Sequence, residues 1–195
     1  PDSLYMPYLQ ANSNTYGSVE KLKEVYEPLT TLKDIVGISI ATRADCFDEE
    51  IYAYLADLNK RVPLQIELGL QTIHEHTAKL INRKTELKEF KDAIYRLREI
   101  GIEIVVHIIN GLPYESKLDM LETIKFINTL DIQGVKIHSL LVLKNTALAN
   151  LYEKEKFKIL SLEEYVDITV SQIELLRPDI IIHRLGADSS LEDLI

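Results

Sequence analysis

The sequence contains a single cysteine, Cys46, and no tryptophan. One cysteine excludes an internal disulfide framework and any zinc site built from several cysteines. It also excludes an iron–sulfur cluster ligated by thiolates of this chain alone, because such clusters are held by several cysteines. No cluster of cationic residues flanks Cys46 beyond Arg43, so Cys46 is predicted to be a buried or inert thiol rather than a nucleophile.

Long hydrophobic runs and an excess of basic residues are also missing. No apolar run approaches the roughly 18 residues of a membrane span, and the opening residues, PDSLYMPYLQ, lack the pattern of a signal peptide. Lys and Arg number 22 against 31 Asp and Glu, and the formal charge is −9. This charge argues against broad electrostatic binding to nucleic acid or anionic membrane. It does not exclude a local basic groove. We expect a cytoplasmic protein without a membrane partner.

The chain length is that of one domain. The 195 residues suffice for a substantial core, at roughly 150 residues per domain. No Ser/Gly-rich linker or low-complexity segment marks a boundary, so a single domain over residues 1–195 is predicted. Because the chain begins with Pro and opens almost directly on a strand-like run, we expect a fragment whose true N-terminus is missing.

Six apolar, β-rich runs alternate with helical patterns. The runs cover residues 4–9, 35–40, 64–70, 102–109, 135–143 and 180–185. Helical spacing of apolar residues predicts two amphipathic helices, one carrying Leu87, Phe90, Ile94 and Leu97 on one face, the other Leu162, Tyr165, Val166, Thr169 and Ile173. Helix N-caps are predicted at Asp48, Ser116 and Ser161, and a helix stop at Gly101.

This alternation predicts an α/β fold with a parallel sheet covered by helices. A Rossmann-type sheet would need a glycine-rich turn after its first strand, and residues 10–14 contain no glycine. A full or partial (β/α) barrel is therefore favoured.

Strand alternation assigns several polar residues to the face turned away from the helices. On the third run Glu67 lies opposite Ile66 and Leu68, where a buried carboxylate requires a partner or a ligand. The same alternation selects His107, Lys136, His138 and His183 on the later runs. Residues that follow the strands form the predicted binding rim: Thr42, Arg43, Gln71, Asn110, Gly111, Lys144 and Arg184. Polar groups on four strands favour a barrel that holds a polar ligand, whereas any one histidine alone is more typical of a hydrogen-bonded core residue.

An ordered set of segments carries a family resemblance. The segments are Ile40–Cys46, Glu67–Thr72, Ile81–Arg83, His107–Pro113, Lys136–His138 with Lys144, and Ile182–Leu185. Together they resemble the YhcC-like branch of the radical S-adenosylmethionine (SAM) proteins, relatives of the Elongator catalytic subunit. The resemblance runs over essentially the whole chain. The family commonly has glycine where Ala41, Lys84, Tyr114 and Asn145 stand and proline where Ala44 stands.

The resemblance implies a partial (β/α)6 barrel with a [4Fe–4S] cluster and SAM, whose reductive cleavage yields a 5′-deoxyadenosyl radical. It implies that Gln71 binds the SAM ribose and Arg83 the SAM carboxylate. The other residues expected at the cofactor are Asn12, Ser13, Thr42, Glu67, Ile109 and Gly111. His107, Lys136, His138 and His183 are left as candidate catalytic residues on the substrate side.

The expected partners follow from the same resemblance: SAM, an unknown substrate for which the branch relatives suggest RNA, and an electron donor such as flavodoxin or ferredoxin. The cysteine motif that ligates the cluster lies upstream in this family, so this chain alone is predicted to be inactive. Two alternatives stay open. One is a barrel lyase that uses Lys136 as a Schiff base, and the other is a non-catalytic barrel that binds SAM or a nucleoside.

Overall fold

The computed structural model describes residues 3–195, in which six β-strands alternate with helices. The strands are β1 (Tyr8–Leu9), β2 (Ile38–Thr42), β3 (Leu64–Gln71), β4 (Glu103–Asn110), β5 (Gly134–Ser139) and β6 (Ile181–Leu185). The helices are α1 (Val19–Tyr26), α2 (Glu49–Arg61), α3 (Glu75–Leu80), α4 (Leu87–Glu99), α5 (Lys117–Ile127), α6 (Ala147–Glu155) and α7 (Leu162–Leu175). Short 3-10 helices cover Glu27–Thr31 and Leu191–Asp193.

The strands form one sheet in the order β1–β2–β3–β4–β5–β6, which is their order in the sequence. The predicted α/β class with a parallel sheet is therefore confirmed. Each predicted run contains a strand, although the run over residues 4–9 yields only Tyr8–Leu9 and the run over residues 135–143 ends at Ser139. None of the helices in residues 3–195 combines the length and apolarity that a bilayer crossing requires.

Residues 3–69, 85–106 and 130–133 form a first compact unit. Here β2 pairs in parallel with β1 and with β3, which sets Ile40 beside Ile66 and Ala41 beside Glu67. The core consists of aliphatic side chains that are almost fully buried: Ile38, Ile40, Leu55, Leu58, Ile66, Leu68 and Leu97. Burial of each such side chain contributes about 1.5–3 kcal/mol, so this core is the main support of the polar residues on β2 and β3.

Residues 70–84, 107–129 and 134–195 form a second compact unit. In it β5 pairs in parallel with β6, and the register shifts between Val135 and Lys136. Val135 lies opposite Ile182 and Lys136 opposite Arg184, so His183 is the extra residue of a β-bulge. The strict alternation that predicted the face of His183 breaks at this bulge, and His183 is exposed.

The predicted helix caps are confirmed. The side chain of Asp48 accepts from Ile51 N at 2.8 Å, and Ser116 and Ser161 each form a capping box with the residue three positions on. Gly101 follows α4 with a φ of 74°, the left-handed conformation that commonly ends a helix at glycine.

The predicted apolar face of α7 is wrong in part. The helix begins at Leu162 as predicted, but Leu162, Val166 and Ile173 are exposed. The buried face instead carries Ile168, Thr169 and Gln172. Gln172 on this face makes a buried polar contact, described below, which apolar periodicity alone does not reveal.

Candidate functional site

In the first unit, Glu67 is a buried carboxylate with hydroxyl partners. It is 3 % exposed, accepts from the Tyr8 hydroxyl at 2.7 Å and accepts from Ser39 Oγ at 3.1 Å. These contacts supply the partners that burial of a carboxylate requires. Tyr8 and Ser39 were not predicted as site residues, because each lies far from Glu67 in the sequence.

The other predicted residues of the first unit follow β1 and β2. Asn12 is exposed at a φ of 64°, and Ser13 is half-buried beside the Cys46 thiol. The hydroxyl of Thr42 lies 2.6 Å from that of Thr15, and both residues are buried. Thr42 is thus part of a buried hydroxyl pair at the end of β2.

Cys46 is buried at 4 % exposure. Burial is the first cause that raises the pKa of its thiol, and the neighbouring Asp45 carboxylate raises it further. Arg43 is engaged with that carboxylate, at 2.7 and 2.9 Å. The prediction of a buried thiol is confirmed.

In the second unit, Gln71 sits at the apex of a tight turn that ends β3. Its φ is 65°, and Thr72 N donates across it to the Leu70 carbonyl at 2.8 Å. A positive φ with this bond is a γ-turn of the rare, strained kind. The Thr72 hydroxyl, fully buried, donates to Glu115 Oε1 at 2.5 Å. The turn is therefore held by a backbone hydrogen bond to Leu70 at the end of β3 and by a side-chain hydrogen bond to Glu115 in the β4–α5 connection.

The Arg83 guanidinium lies against this turn. Its Nη1 donates to the Leu70 carbonyl at 2.9 Å and also to the Thr72 carbonyl. Its Nη2 donates to Glu75 Oε1 at 3.3 Å, and the side chain is only 7 % exposed. Burial lowers the pKa of Arg83, with Glu75 acting in the opposite direction. The resemblance implies that Arg83 binds the carboxylate of SAM. In the structure, its guanidinium instead donates to two backbone carbonyls and one carboxylate of this chain.

A cavity of about 510 Å³ lies beside Gln71, wholly within the second unit. Its polar lining residues are Gln71 and Asn82. The apolar lining residues are Leu80, Ile81, Ile109, Leu112, Leu140, Ala147, Leu148 and Leu151. A mostly apolar cavity with a few polar groups is typical of a small-molecule site.

Gly111 ends β4 next to a second cavity of about 420 Å³, whose wall also includes Ser139, Tyr165 and Gly186. The φ of Gly111 is 84°, and a Cβ there would lie 3.0 Å from Leu160 Cδ1. Glycine adopts this conformation without strain, and a Cβ there would have to displace the Leu160 side chain.

Asn110, predicted at the binding rim, forms a reciprocal pair of amides with Gln172, and neither this pairing nor Gln172 was predicted. Asn110 Nδ2 donates to Gln172 Oε1 at 2.7 Å, and Gln172 Nε2 donates back at 2.9 Å. Gln172 also donates to the Met120 carbonyl at 3.2 Å, and both amides are at most 1 % exposed. The pair fixes the end of β4 against α5 and α7. A polar residue amid the apolar positions of α7 was the available signal.

The four candidate catalytic residues fall into two groups. His107 on β4 and His138 on β5 are half-buried, with ring centroids 5.2 Å apart, and Lys136 on β5 is 8 % exposed. His183 stands apart at the exposed β6 bulge. Lys144, predicted at the rim, donates instead to the Glu192 carbonyl at 2.6 Å.

Within the described residues, one group of side chains has metal-ligand geometry: His74, Asp119 and Glu122. Two of these residues, His74 and Asp119, make hydrogen bonds within the chain. His74 Nε2 lies 2.9 Å from the Asp119 carbonyl oxygen, and the Asp119 carboxylate caps α5 at Ser116, with Oδ2 2.7 Å from the backbone nitrogen.

Two positions at which the resembling family has glycine adopt the left-handed conformation. The φ of Tyr114 is 67° and that of Asn145 is 63°. Glycine enters this region without strain, whereas a bulky side chain rarely does. Tyr114 is exposed, its hydroxyl donates to the Glu155 carboxylate, and its ring meets His76 edge-on at 6.5 Å.

Two family models match the chain. The Radical SAM superfamily matches residues 10–127, and the Radical_SAM C-terminal domain matches residues 132–195. Among curated relatives, the uncharacterized protein YtqA of Bacillus subtilis is 46 % identical over 194 residues, covering 100 % of this chain and 60 % of the relative. Protein YhcC of Escherichia coli is 28 % identical over 192 residues, covering 98 % of this chain and 62 % of the relative. The chain thus spans about three fifths of these relatives.

A solved structure shares the fold. The archaeal Methanocaldococcus infernus Elp3 superposes with a TM-score of 0.77 at 23 % identity, covering 89 % of this chain and 41 % of that chain. The predicted fold class, a partial barrel of alternating strands and helices, is confirmed by this similarity. The predicted YhcC-like branch is confirmed by the curated relatives.

Proposed function

The chain belongs to the radical SAM superfamily, and from this premise we propose that it forms the SAM-binding part of an enzyme that cleaves SAM reductively at a [4Fe–4S] cluster. The observation that carries the proposal is the apolar cavity of about 510 Å³ beside Gln71. When bound, the [4Fe–4S] cluster and SAM would supply a 5′-deoxyadenosyl radical, which would take a hydrogen atom from a substrate.

The donor set of this chain does not fit the cluster itself. Cys46 is its one cysteine, and the thiol is buried with a raised pKa. Such clusters are held by several cysteine thiolates. The role proposed for this chain is therefore to bind and orient SAM.

The cavity beside Gln71 fits an adenosyl group in size and chemistry. Its volume lies inside the range of about 300–1,000 Å³ for small-molecule sites. Side chains such as Ile109 and Leu112 offer apolar surface to the faces of a base. The amide of Gln71 offers a donor and an acceptor to ribose hydroxyls.

The proposed substrate side uses His107, His138 and Lys136. An imidazole can both donate and accept a proton, and an ammonium is a donor. The two rings lie close enough to act on one bound molecule. RNA as substrate and flavodoxin or ferredoxin as electron donor come from the sequence resemblance alone, and the formal charge of −9 gives no support to RNA binding.

Equilibrium binding of SAM to the full-length protein tests the proposal. Gln71→Ala should weaken binding about tenfold, the effect of losing roughly one well-formed hydrogen-bonding group. Asn150→Ala removes an exposed amide from α6 and is the matched control, with an expected change below about twofold. A cluster-loaded wild-type protein that binds no SAM would contradict the proposal.

A further inference from the structure

We propose that Arg83 is a positioning residue, which holds Gln71 at the cavity by binding the backbone carbonyls on either side of it. This inference rests on the proposed function, since Gln71 is there the residue that binds the ribose. It gives Arg83 a different task from direct recognition of the SAM carboxylate.

The hydrogen bonds of the guanidinium support this assignment. A guanidinium recognises a carboxylate through a fork of parallel N–H groups. In Arg83, Nη1 faces the carbonyls of Leu70 and Thr72, and Nη2 faces the carboxylate of Glu75. The edge between Nη1 and Nη2 is therefore used within the chain. At 7 % exposure, the side chain also offers little surface to a ligand.

The backbone at Gln71 shows what these bonds accomplish. A glutamine at a φ of 65° in a γ-turn is strained, and such residues persist only where their surroundings fix them. Arg83 binds both flanking carbonyls from one side, and Glu115 holds the Thr72 hydroxyl at 2.5 Å from the other. Without Arg83 the turn can relax to a negative φ. The Gln71 amide would then leave the cavity wall.

Two ligands separate positioning from direct binding in the full-length protein. SAM has a ribose and a carboxylate, whereas 5′-methylthioadenosine has the ribose but no carboxylate. We expect Arg83→Ala and Arg83→Lys to lower the affinity for both ligands by the same factor, about tenfold. The double variant Gln71→Ala/Arg83→Ala should bind no more weakly than Gln71→Ala alone. Loss of SAM affinity with unchanged affinity for 5′-methylthioadenosine would overturn the proposal.

Arg98 provides the matched control. Its Nη1 also donates to a backbone carbonyl, that of Ile102 at 2.9 Å, and its Nε donates to the Asp131 carboxylate at 2.9 Å. Arg98→Ala removes one bond to a backbone carbonyl and one to a carboxylate in the first unit, whereas Arg83→Ala removes two bonds to carbonyls and one to a carboxylate. It should change neither affinity by more than about twofold.

A readout without ligand keeps the inference independent of SAM binding. Hydrogen exchange of the Thr72 amide, which closes the γ-turn, should accelerate about tenfold or more in Arg83→Ala and stay unchanged in Arg98→Ala. Unchanged exchange at Thr72 would overturn the positioning role. If the wild type binds neither ligand, the proposed function fails, while accelerated exchange still supports the action of Arg83 on the turn.

Discussion

Gln172→Leu should destabilise the protein strongly, because it leaves the Asn110 amide buried without its partner. Asn110 is 1 % exposed, and the two hydrogen bonds between the amides of Asn110 and Gln172 are short, at 2.7 and 2.9 Å. A buried donor or acceptor left unsatisfied costs about 1–3 kcal/mol. Asn110 loses one of each, and the Met120 carbonyl loses a donor. We expect a loss of about 2–5 kcal/mol of unfolding free energy.

Urea unfolding of single and double variants measures this cost. Replacing both amides removes the unpaired groups, so Asn110→Leu/Gln172→Leu should cost less than the sum of the single changes, by about 0.5–3 kcal/mol. Glu174→Gln, on the exposed face of the same helix, is the control, with an expected change of about 0.5 kcal/mol or less. Simple additivity of the two leucine changes, or a cost of Gln172→Leu as small as that of the control, would refute the reasoning.

Two further predictions concern conformation and pH. Gly101→Ala should lower the unfolding free energy by about 1–2 kcal/mol, because alanine is strained at the φ of 74°. A clash does not contribute, since the nearest atom to the new Cβ would be Asn59 Nδ2 at 3.8 Å. Thermal unfolding that shows no loss of stability would contradict this. Burial raises the pKa of Glu115, against the hydrogen bonds from Thr72 and Thr77. The folded state then binds more protons than the unfolded state, so the wild type should lose stability relative to Glu115→Gln as the pH rises above about 4.3. Unfolding measured from about pH 4 to about pH 8 checks this, and the opposite slope would contradict the sign.

The fold was predictable because its signals are local. The N-cap of Asp48 needs only the residues of its own first turn, and the alternation around Glu67 needs only its own strand. The bulge at His183 was not predictable, since it depends on the register with β5. The buried face of α7 was predicted incorrectly for a related reason. Apolar residues lie on two sides of that helix, and the buried side is the one on which Gln172 contacts Asn110, 62 positions away.

For the candidate site residues, the positions on the strands were predictable and the contacts were not. Gln71 was selected correctly as a strand-end residue, and its cavity lies beside it. Its γ-turn was not predicted, because a positive φ at glutamine leaves no mark in the sequence. The partners of Glu67 were missed because Tyr8 and Ser39 come from other strands, 59 and 28 positions away.

The most direct test of the central claim is formation of 5′-deoxyadenosine from SAM. The full-length protein is loaded anaerobically with iron and sulfide, reduced and incubated with SAM, and the product is quantified by chromatography. At a SAM concentration below the wild-type dissociation constant, we predict 5′-deoxyadenosine in the wild type and in Asn150→Ala, and loss of most of the product in Gln71→Ala. Absence of product from a wild-type protein whose reduced cluster is intact would contradict the assignment of this chain to SAM cleavage.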